Sequence, residues 1–133
     1  MVNYRSLIGI PWEYGVNDCF SLVRKYYKLS GILLPDFKRP KDIKSSHSIF
    51  LEQAAAFNFQ ETSLDQIAAG DVLIMRLDTS APMHAAIYVG DQQILHQRVN
   101  SLSGLEALSC YYRKRTSAVF RYAADRTASG QAR

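Results

Sequence analysis

Apolar residues follow a helical spacing in the first part of the chain. Those that recur three and four residues apart are Phe20, Val23 and Tyr27. Asn17 or Asp18 can cap the start of this pattern, and Gly31 supplies a stop. The spacing predicts a helix over "NDCFSLVRKYYKLSG", with Cys19 in its first turn.

Two further helical elements are expected before residue 71. The stretch "SIFLEQAAAFNF" predicts a second helix. In "SLDQIAAG" a short helical turn is expected, because Ser63 and Gln66 have capping-box spacing and Gly70 can end the turn. The segment "ILLPDFKRPKDIK", with its prolines and basic residues, predicts a surface connection between the two helices.

From Asp71 the pattern changes to short apolar runs of strand length. The predicted strands are "DVLIMRL", "HAAIYVG", "QILHQRV" and "SAVFRYA". The links between them are too short for helical crossovers, which favours antiparallel pairing. Helices first and strands later predict an α+β fold with a mostly antiparallel sheet.

The composition is that of a folded domain. With 133 residues, of which 47% are apolar, we expect one domain over residues 1–124 and a flexible tail over residues 125–133. No window reaches the roughly 18 apolar residues of a membrane span. The first residues lack the apolar core and cleavage site of a signal peptide, so we expect neither a membrane span nor a signal peptide.

The positive charge is concentrated near the end of the chain. Residues 98–133 carry seven basic and two acidic side chains, whereas residues 1–97 carry nine and ten. This segment either meets an acidic partner, such as cell-wall polymer, nucleic acid or another protein, or is a solvated surface. Specific nucleic-acid binding is the weakest of these readings, because no recognised module accompanies the basic residues.

The two cysteines, Cys19 and Cys110, are too few for a disulfide scaffold and form no zinc motif. We expect no bridge between them, no metal and no cofactor. A thiol in the first turn of a helix is nevertheless favoured as a nucleophile, because unpaired N–H groups and the helix dipole stabilise a thiolate. A histidine can complete such a site as a base.

The candidate histidines are His47, His84 and His96. His47 lies in a polar loop and reads as exposed. If "GDQ" is a three-residue hairpin loop, Val89 pairs with Gln93, Ala86 with His96 and His84 with Arg98, which puts His84 and His96 on one face. A two-residue loop would turn one histidine to the other face. The common-face register makes a triad of Cys19, His84 and His96 possible, although such residues are more often packing or surface residues.

Three stretches carry a family resemblance. "WEYGVNDCFSLV" resembles the nucleophile motif of the NlpC-type peptidoglycan endopeptidases. "AAGDVLIM" resembles the family's strand entry, and "HAAIYVGDQQILHQ" its histidine strand, turn and return strand. The stretches occur in the family's order over residues 11–97.

The resemblance implies a papain-like fold in which Cys19 attacks an amide carbonyl, His84 is the base and His96 is the third polar residue. By the same resemblance, the substrate-binding candidates near the thiol are Trp12, Tyr14, Asp18 and Phe20. Trp12 stands where the family often has a tyrosine, and Phe20 where many members have a small residue. The Asp-Cys-Phe variant resembles the subgroup found in tail-tip assembly proteins of tailed bacteriophages. Ala86 replaces a glycine and is expected to narrow the cleft.

The resemblance therefore implies a cysteine peptidase that hydrolyses the γ-D-glutamyl-diamino acid bond of peptidoglycan stem peptides. We expect it to be made in the host cytoplasm and carried in a phage tail tip, where other tail proteins are its partners. A secreted bacterial effector, a structural tail-assembly protein without strong catalysis, and an acyltransferase or deamidase on the same fold are the alternatives.

Overall fold

The computed structural model describes residues 2–36, 54–77 and 84–123, and in these ranges one long helix lies against a six-stranded sheet. The helices are α1, Cys19–Leu29, and the short α2, Cys110–Arg115. The strands are β1, Phe59–Thr62; β2, Val72–Met75; β3, His84–Gly90; β4, Gln93–His96; β5, Gly104–Ala107; and β6, Thr116–Tyr122. Short 3-10 turns cover Arg5–Leu7, Ala55–Phe57 and Leu64–Gln66.

All neighbouring strands in the sheet are antiparallel, in the order β1-β6-β2-β3-β4-β5. Strands β2, β3 and β4 follow each other in space as in sequence, while β6 returns between β1 and β2. The prediction of an α+β fold with an antiparallel sheet is confirmed.

The start of α1 is fixed by the carboxylate of Asp18. One oxygen accepts hydrogen bonds from the backbone N–H and the hydroxyl of Ser21, each at 2.9 Å, and the other accepts from the N–H of Gly15 at 2.9 Å. Gly15 has a φ of +80°, a conformation that favours glycine. Asp18 is thus the N-cap that the sequence offered as one of two choices, and the other, Asn17, accepts a hydrogen bond from Lys25 instead.

The sheet is buried on both faces. In β2, Val72 and Ile74 pack toward α1, whereas Leu73 and Met75 pack into a second cluster on the opposite face. Each fully buried side chain of this size contributes roughly 1.5 to 3 kcal/mol. The α1 face includes Phe20, Val23, Tyr26, Tyr27, Ala85, Ile87 and Leu95. The second face includes Ala86, Tyr88, Ile94, Leu108 and Tyr112.

The end of the second predicted helix differs from the expectation. Residues 48–53 lie outside the described residues, but Ala55–Phe57 is a 3-10 turn and Phe59 already begins β1. Asn58 has a φ of +66°, which ends any helix, and Phe59 is buried against the sheet. Burial of Phe59 in a strand therefore prevails over the helical propensity of the preceding alanines.

Other expectations are met in part. The turn after residue 63 forms, but the Ser63 side chain makes no capping hydrogen bond, so the capping box is absent. Strands β1 and β5 and helix α2 had no clear signal in the sequence. The connection after residue 36 and the tail over residues 125–133 lie outside the described residues.

Candidate active site

Cys19 is the first residue of α1 and is partly buried. A tight loop precedes it, in which Glu13 and Asn17 exchange backbone hydrogen bonds of 3.0 and 2.7 Å. The loop holds the rings of Trp12 and Tyr14 stacked, with centroids 6.3 Å apart and 25° between the planes. Both rings are half-buried, so part of each ring is exposed to solvent. The two residues lie seven and five positions before Cys19 in the sequence.

Two buried polar side chains fix the segment that leads into this loop. Ser103 accepts a hydrogen bond from the N–H of Ile10 at 2.9 Å and donates to the carbonyl of Leu7 at 2.6 Å. Gln97 donates to the carbonyl of Ile10 at 2.6 Å and to that of Ser101 at 2.9 Å. Because Gln97 directly follows β4, these contacts tie the Trp12 segment to the strand that carries His96.

The β3–β4 hairpin brings His84 and His96 to one face, as the sequence predicts, but by a different turn. Ala86 pairs with His96 as expected, whereas Gly90, not Val89, pairs with Gln93. The turn is the two-residue pair Asp91 and Gln92, with φ values of 52° and 60°. A bulge between Tyr88 and Gly90 takes up the extra residue and restores the register.

The two imidazoles are in direct contact. Nε2 of His84 lies 2.9 Å from Nδ1 of His96, and the rings meet at 70°. The side chains are nearly buried, at 9% exposure for His84 and 3% for His96. Since Nε2 of His84 is taken up by His96, Nδ1 is the nitrogen that can face a further group.

Burial dominates the electrostatics of this pair. Desolvation, with smaller contributions from His96 and Arg98, holds the pKa of His84 well below its ordinary value. Desolvation also lowers the pKa of His96, although the hydrogen bond to Glu106 acts in the opposite direction. Both rings are therefore neutral at pH 7, and His84 is available as a proton acceptor.

The structure adds two residues that the sequence did not single out. Nε2 of His96 lies 2.6 Å from Oε1 of Glu106, on β5, and the hydroxyl of Tyr112, on α2, donates to the same oxygen at 2.7 Å. The ring of Tyr112 also meets that of His96 edge-on, with centroids 5.2 Å apart. Partial burial opposes ionisation of Glu106, but the hydrogen bonds from Tyr112 and His96 lower its pKa overall.

The signal that could have revealed Glu106 is parity. Glu106 pairs with Ile94, so it shares a face with His96 two residues further along β4. That inference needs β5 to be recognised as a strand, and "GLEA" is too short and too exposed to show a clear alternation.

The remaining predicted site residues lie in different environments. Asp18 and Phe20 are each only 4% exposed, Asp18 as the helix cap and Phe20 in the core against Phe57. Ala86 is fully buried in the second cluster, so its methyl group fills the core and does not narrow a cleft, contrary to the expectation. His47 lies outside the described residues.

Cys19, at the start of α1, packs against the α1 face of the sheet, whereas His84 and His96 share a strand face with Ala86, which belongs to the second cluster. The residues that pack with Cys19 belong to the cluster that contains Ala85 and Ile87, so the helix lies on β3, the strand that begins at His84. Neither Cys19 nor Cys110 forms a disulfide within the described residues. In the described ranges no cluster of histidine, cysteine and acidic side chains fits a metal ion, and no helix is long and apolar enough to cross a membrane.

Residues 9–121 match the model of the NlpC/P60 family. Over 124 residues the chain is 36% identical to the tail tip assembly protein K of Escherichia phage lambda, an alignment that covers 92% of this chain and 62% of that protein. The chain therefore spans less than two thirds of that relative's length.

Solved structures share the fold. A lipoprotein-like member of the NLP/P60 family from Staphylococcus aureus superposes with a TM-score of 0.63 at 23% identity, over 88% of this chain and 38% of that one. The NlpC/p60 domain of the peptidoglycan hydrolase SagA superposes with a TM-score of 0.58 at 19% identity, over 87% of this chain and 90% of that one.

Proposed function

This chain belongs to the NlpC/P60 family, and from that premise we propose that it is a cysteine peptidase acting on peptidoglycan stem peptides. The family includes cysteine peptidases and peptidoglycan hydrolases. The observation that carries the proposal is the buried contact of 2.9 Å between His84 and His96, because His84 begins β3, the strand on which the helix that starts at Cys19 packs.

In the first half of the reaction, Nδ1 of neutral His84 takes the proton of Cys19 as Sγ attacks the amide carbonyl. The backbone N–H of Cys19, at the start of the helix, donates a hydrogen bond to the oxyanion. The tetrahedral intermediate collapses to a thioester when His84 gives its proton to the leaving amine. His96 keeps the ring of His84 oriented through both transfers.

In the second half, His84 takes a proton from water, and the resulting hydroxide attacks the thioester. The C–S bond breaks to release a carboxylic acid, which loses its proton to solvent, and the proton on His84 returns to the thiolate of Cys19. The lowered pKa of His84 keeps the ring neutral before each of the two steps in which it accepts a proton.

Substrate contacts are assigned by exposure. Trp12 and Tyr14 form a half-buried stack ahead of the thiol, and we assign them to the binding of the stem peptide. Asp18 and Phe20 are almost completely buried, so we assign them to holding the helix start in place. The bond cleaved is the γ-D-glutamyl-diamino acid linkage that the family resemblance implies.

The similarity to the tail tip assembly protein K supports a setting for this activity. We propose that the chain acts in a phage tail tip, made in the host cytoplasm and presented to the wall from outside during genome entry. Other tail-tip proteins are then its partners.

A structural role in tail assembly is the second candidate, and the name of the same relative favours it. On that reading the fold serves to dock other tail proteins and the buried histidines only support the sheet. An acyltransferase or deamidase would use the same residues, and its products identify it.

The test is incubation of the protein with muropeptides of several wall types, followed by mass spectrometry of the products. We expect cleavage that Cys19→Ala abolishes and that Cys110→Ser leaves intact, since Cys110 is exposed on the short helix α2. Transfer of the acyl group to an added amine, or loss of ammonia alone, identifies the acyltransferase or deamidase. No product from any wall type, together with stable binding to tail proteins, establishes the structural role instead.

A further inference from the structure

Glu106 lies outside the motifs that carry the proposed triad, yet it contacts His96. We propose that Glu106 is a positioning residue that sets the direction of the protons along His96 and His84, so that His84 presents an unprotonated Nδ1 to Cys19. This inference rests on the proposed function, because it assigns Glu106 a task in that same site.

The first step concerns the carboxylate. Oε1 of Glu106 lies 2.6 Å from Nε2 of His96 and 2.7 Å from the hydroxyl of Tyr112. An ionised carboxylate can only accept hydrogen bonds, so both neighbours must donate. His96 therefore carries its proton on Nε2.

The second step concerns the proton on His84. A neutral imidazole has one N–H, so His96 with a proton on Nε2 has a lone pair on Nδ1. That nitrogen lies 2.9 Å from Nε2 of His84, which must then donate. His84 in turn has its lone pair on Nδ1, the nitrogen that accepts the proton of the thiol.

The opposite order would disable the base. With a proton on Nδ1 of both rings, His96 would donate to His84, and Nδ1 of His84 would have no lone pair for Cys19. That arrangement also places the lone pair of His96 Nε2 against the carboxylate of Glu106. A negative acceptor at this position excludes it, whereas a neutral side chain able to donate would permit it.

Tyr112 and Arg98 keep the carboxylate in place. The side chain of Glu106 is 48% exposed on an edge strand, so a single hydrogen bond would leave it free to turn into solvent. Tyr112 donates to the same oxygen and packs its ring against His96. Arg98 lies 3.4 Å from the hydroxyl of Tyr112 and adds a positive charge near the carboxylate.

The protonated nitrogen of each imidazole can be identified in a protein that has no enzymatic activity. The measurement is the ¹⁵N chemical shifts of the histidine rings in a Cys19→Ala protein. A His47→Gln background leaves only His84 and His96, since the chain has three histidines. We expect both rings to carry the proton on Nε2. A proton on Nδ1 of either ring overturns the proposal, whatever any variant of Glu106 does.

The second measurement compares Glu106→Gln with Glu61→Gln. Glu61 is an exposed glutamate on β1, the other edge strand, and pairs with Phe120. A glutamine at 106 can either accept from or donate to His96, so we expect a mixture of tautomers in the ¹⁵N spectrum. In the protein with Cys19 intact, we expect kcat to fall about ten- to a hundredfold with KM unchanged, the range typical of groups that orient a functional histidine. Glu61→Gln should change neither the histidine tautomers nor kcat.

The outcomes separate the two proposals. If the protein cleaves muropeptides but Glu106→Gln leaves the tautomers or kcat unchanged, the role of Glu106 is refuted and the peptidase stands. If Glu106→Gln mixes the tautomers in a protein that cleaves no substrate, the proton order stands and the peptidase fails. Should Glu106→Gln not fold, Tyr112→Phe keeps the ring and removes only the second donor, and it should shift the tautomers in the same direction.

Discussion

In the proposed mechanism, the reactivity of Cys19 depends on both its place in the helix and the base His84. The first turn of α1 offers a dipole and backbone N–H groups, which favour a thiolate at any such position. The proposed base is His84, whose pKa is held low by burial. The two effects predict different responses when His84 is removed.

We expect Cys19 to be alkylated at pH 6 faster in the unsubstituted protein than in His84→Ala, because neutral His84 accepts the proton of the thiol as Sγ attacks the reagent. The measurement is the rate of reaction with iodoacetamide. Both proteins carry Cys110→Ser, so that Cys19 is the cysteine that reacts. The helix dipole alone would give equal rates in both proteins. Equal rates would therefore contradict a role for His84 as the base.

Helix α1 and the β3–β4 hairpin hold the site by different means. The hairpin fixes the histidines through register, since a two-residue turn and a compensating bulge keep Ala86 opposite His96. The helix fixes Cys19 through its cap, because three donors converge on the carboxylate of Asp18. Removal of that carboxylate leaves buried donors without an acceptor.

For the helix, Asp18→Ala is expected to lower the free energy of unfolding by about 2 kcal/mol, the upper part of the range for an N-cap. Urea unfolding measures the change. Ser63→Ala is the matched control, because Ser63 precedes a 3-10 turn without a side-chain capping bond, and its effect should stay within about 0.5 kcal/mol. Equal effects of the two changes would refute the capping role.

The whole molecule buries apolar side chains on both faces of one sheet, and its second cluster adjoins a pair of neutral histidines. Among the described residues, Glu106 on β5, Tyr112 on α2 and Arg98 after β4 are polar groups close to this pair. Burial keeps the folded-state pKa of His84 well below 6.5, the value of the unfolded chain. Folding and protonation of His84 therefore oppose each other.

The stability of the whole protein should consequently fall in mild acid. Above pH 6.5 His84 is neutral in both states, but below it the unfolded chain binds a proton that the folded protein excludes. We expect a lower unfolding temperature at pH 5 than at pH 7.5, and a smaller difference in His84→Gln. The same difference in both proteins would show that His84 does not limit stability in acid.

The amino-acid sequence by itself determined the elements with strong local signals. Apolar spacing and the cap at Asp18 specify α1, and the apolar runs specify β2, β3, β4 and β6, because local propensity and burial agree there. The common face of His84 and His96 also follows from parity, although the bulge that secures it does not. These signals were enough for the fold and for the resemblance to the family.

The tertiary structure decided where local signals were weak or in conflict. Phe59 entered a strand because the sheet buries it, and β5 formed because β4 offers it an open edge. Only that pairing brings Glu106 within 2.6 Å of His96, although the two are ten residues apart and share no motif. The sequence thus specified the candidate thiol and histidines, and packing supplied the carboxylate that contacts His96.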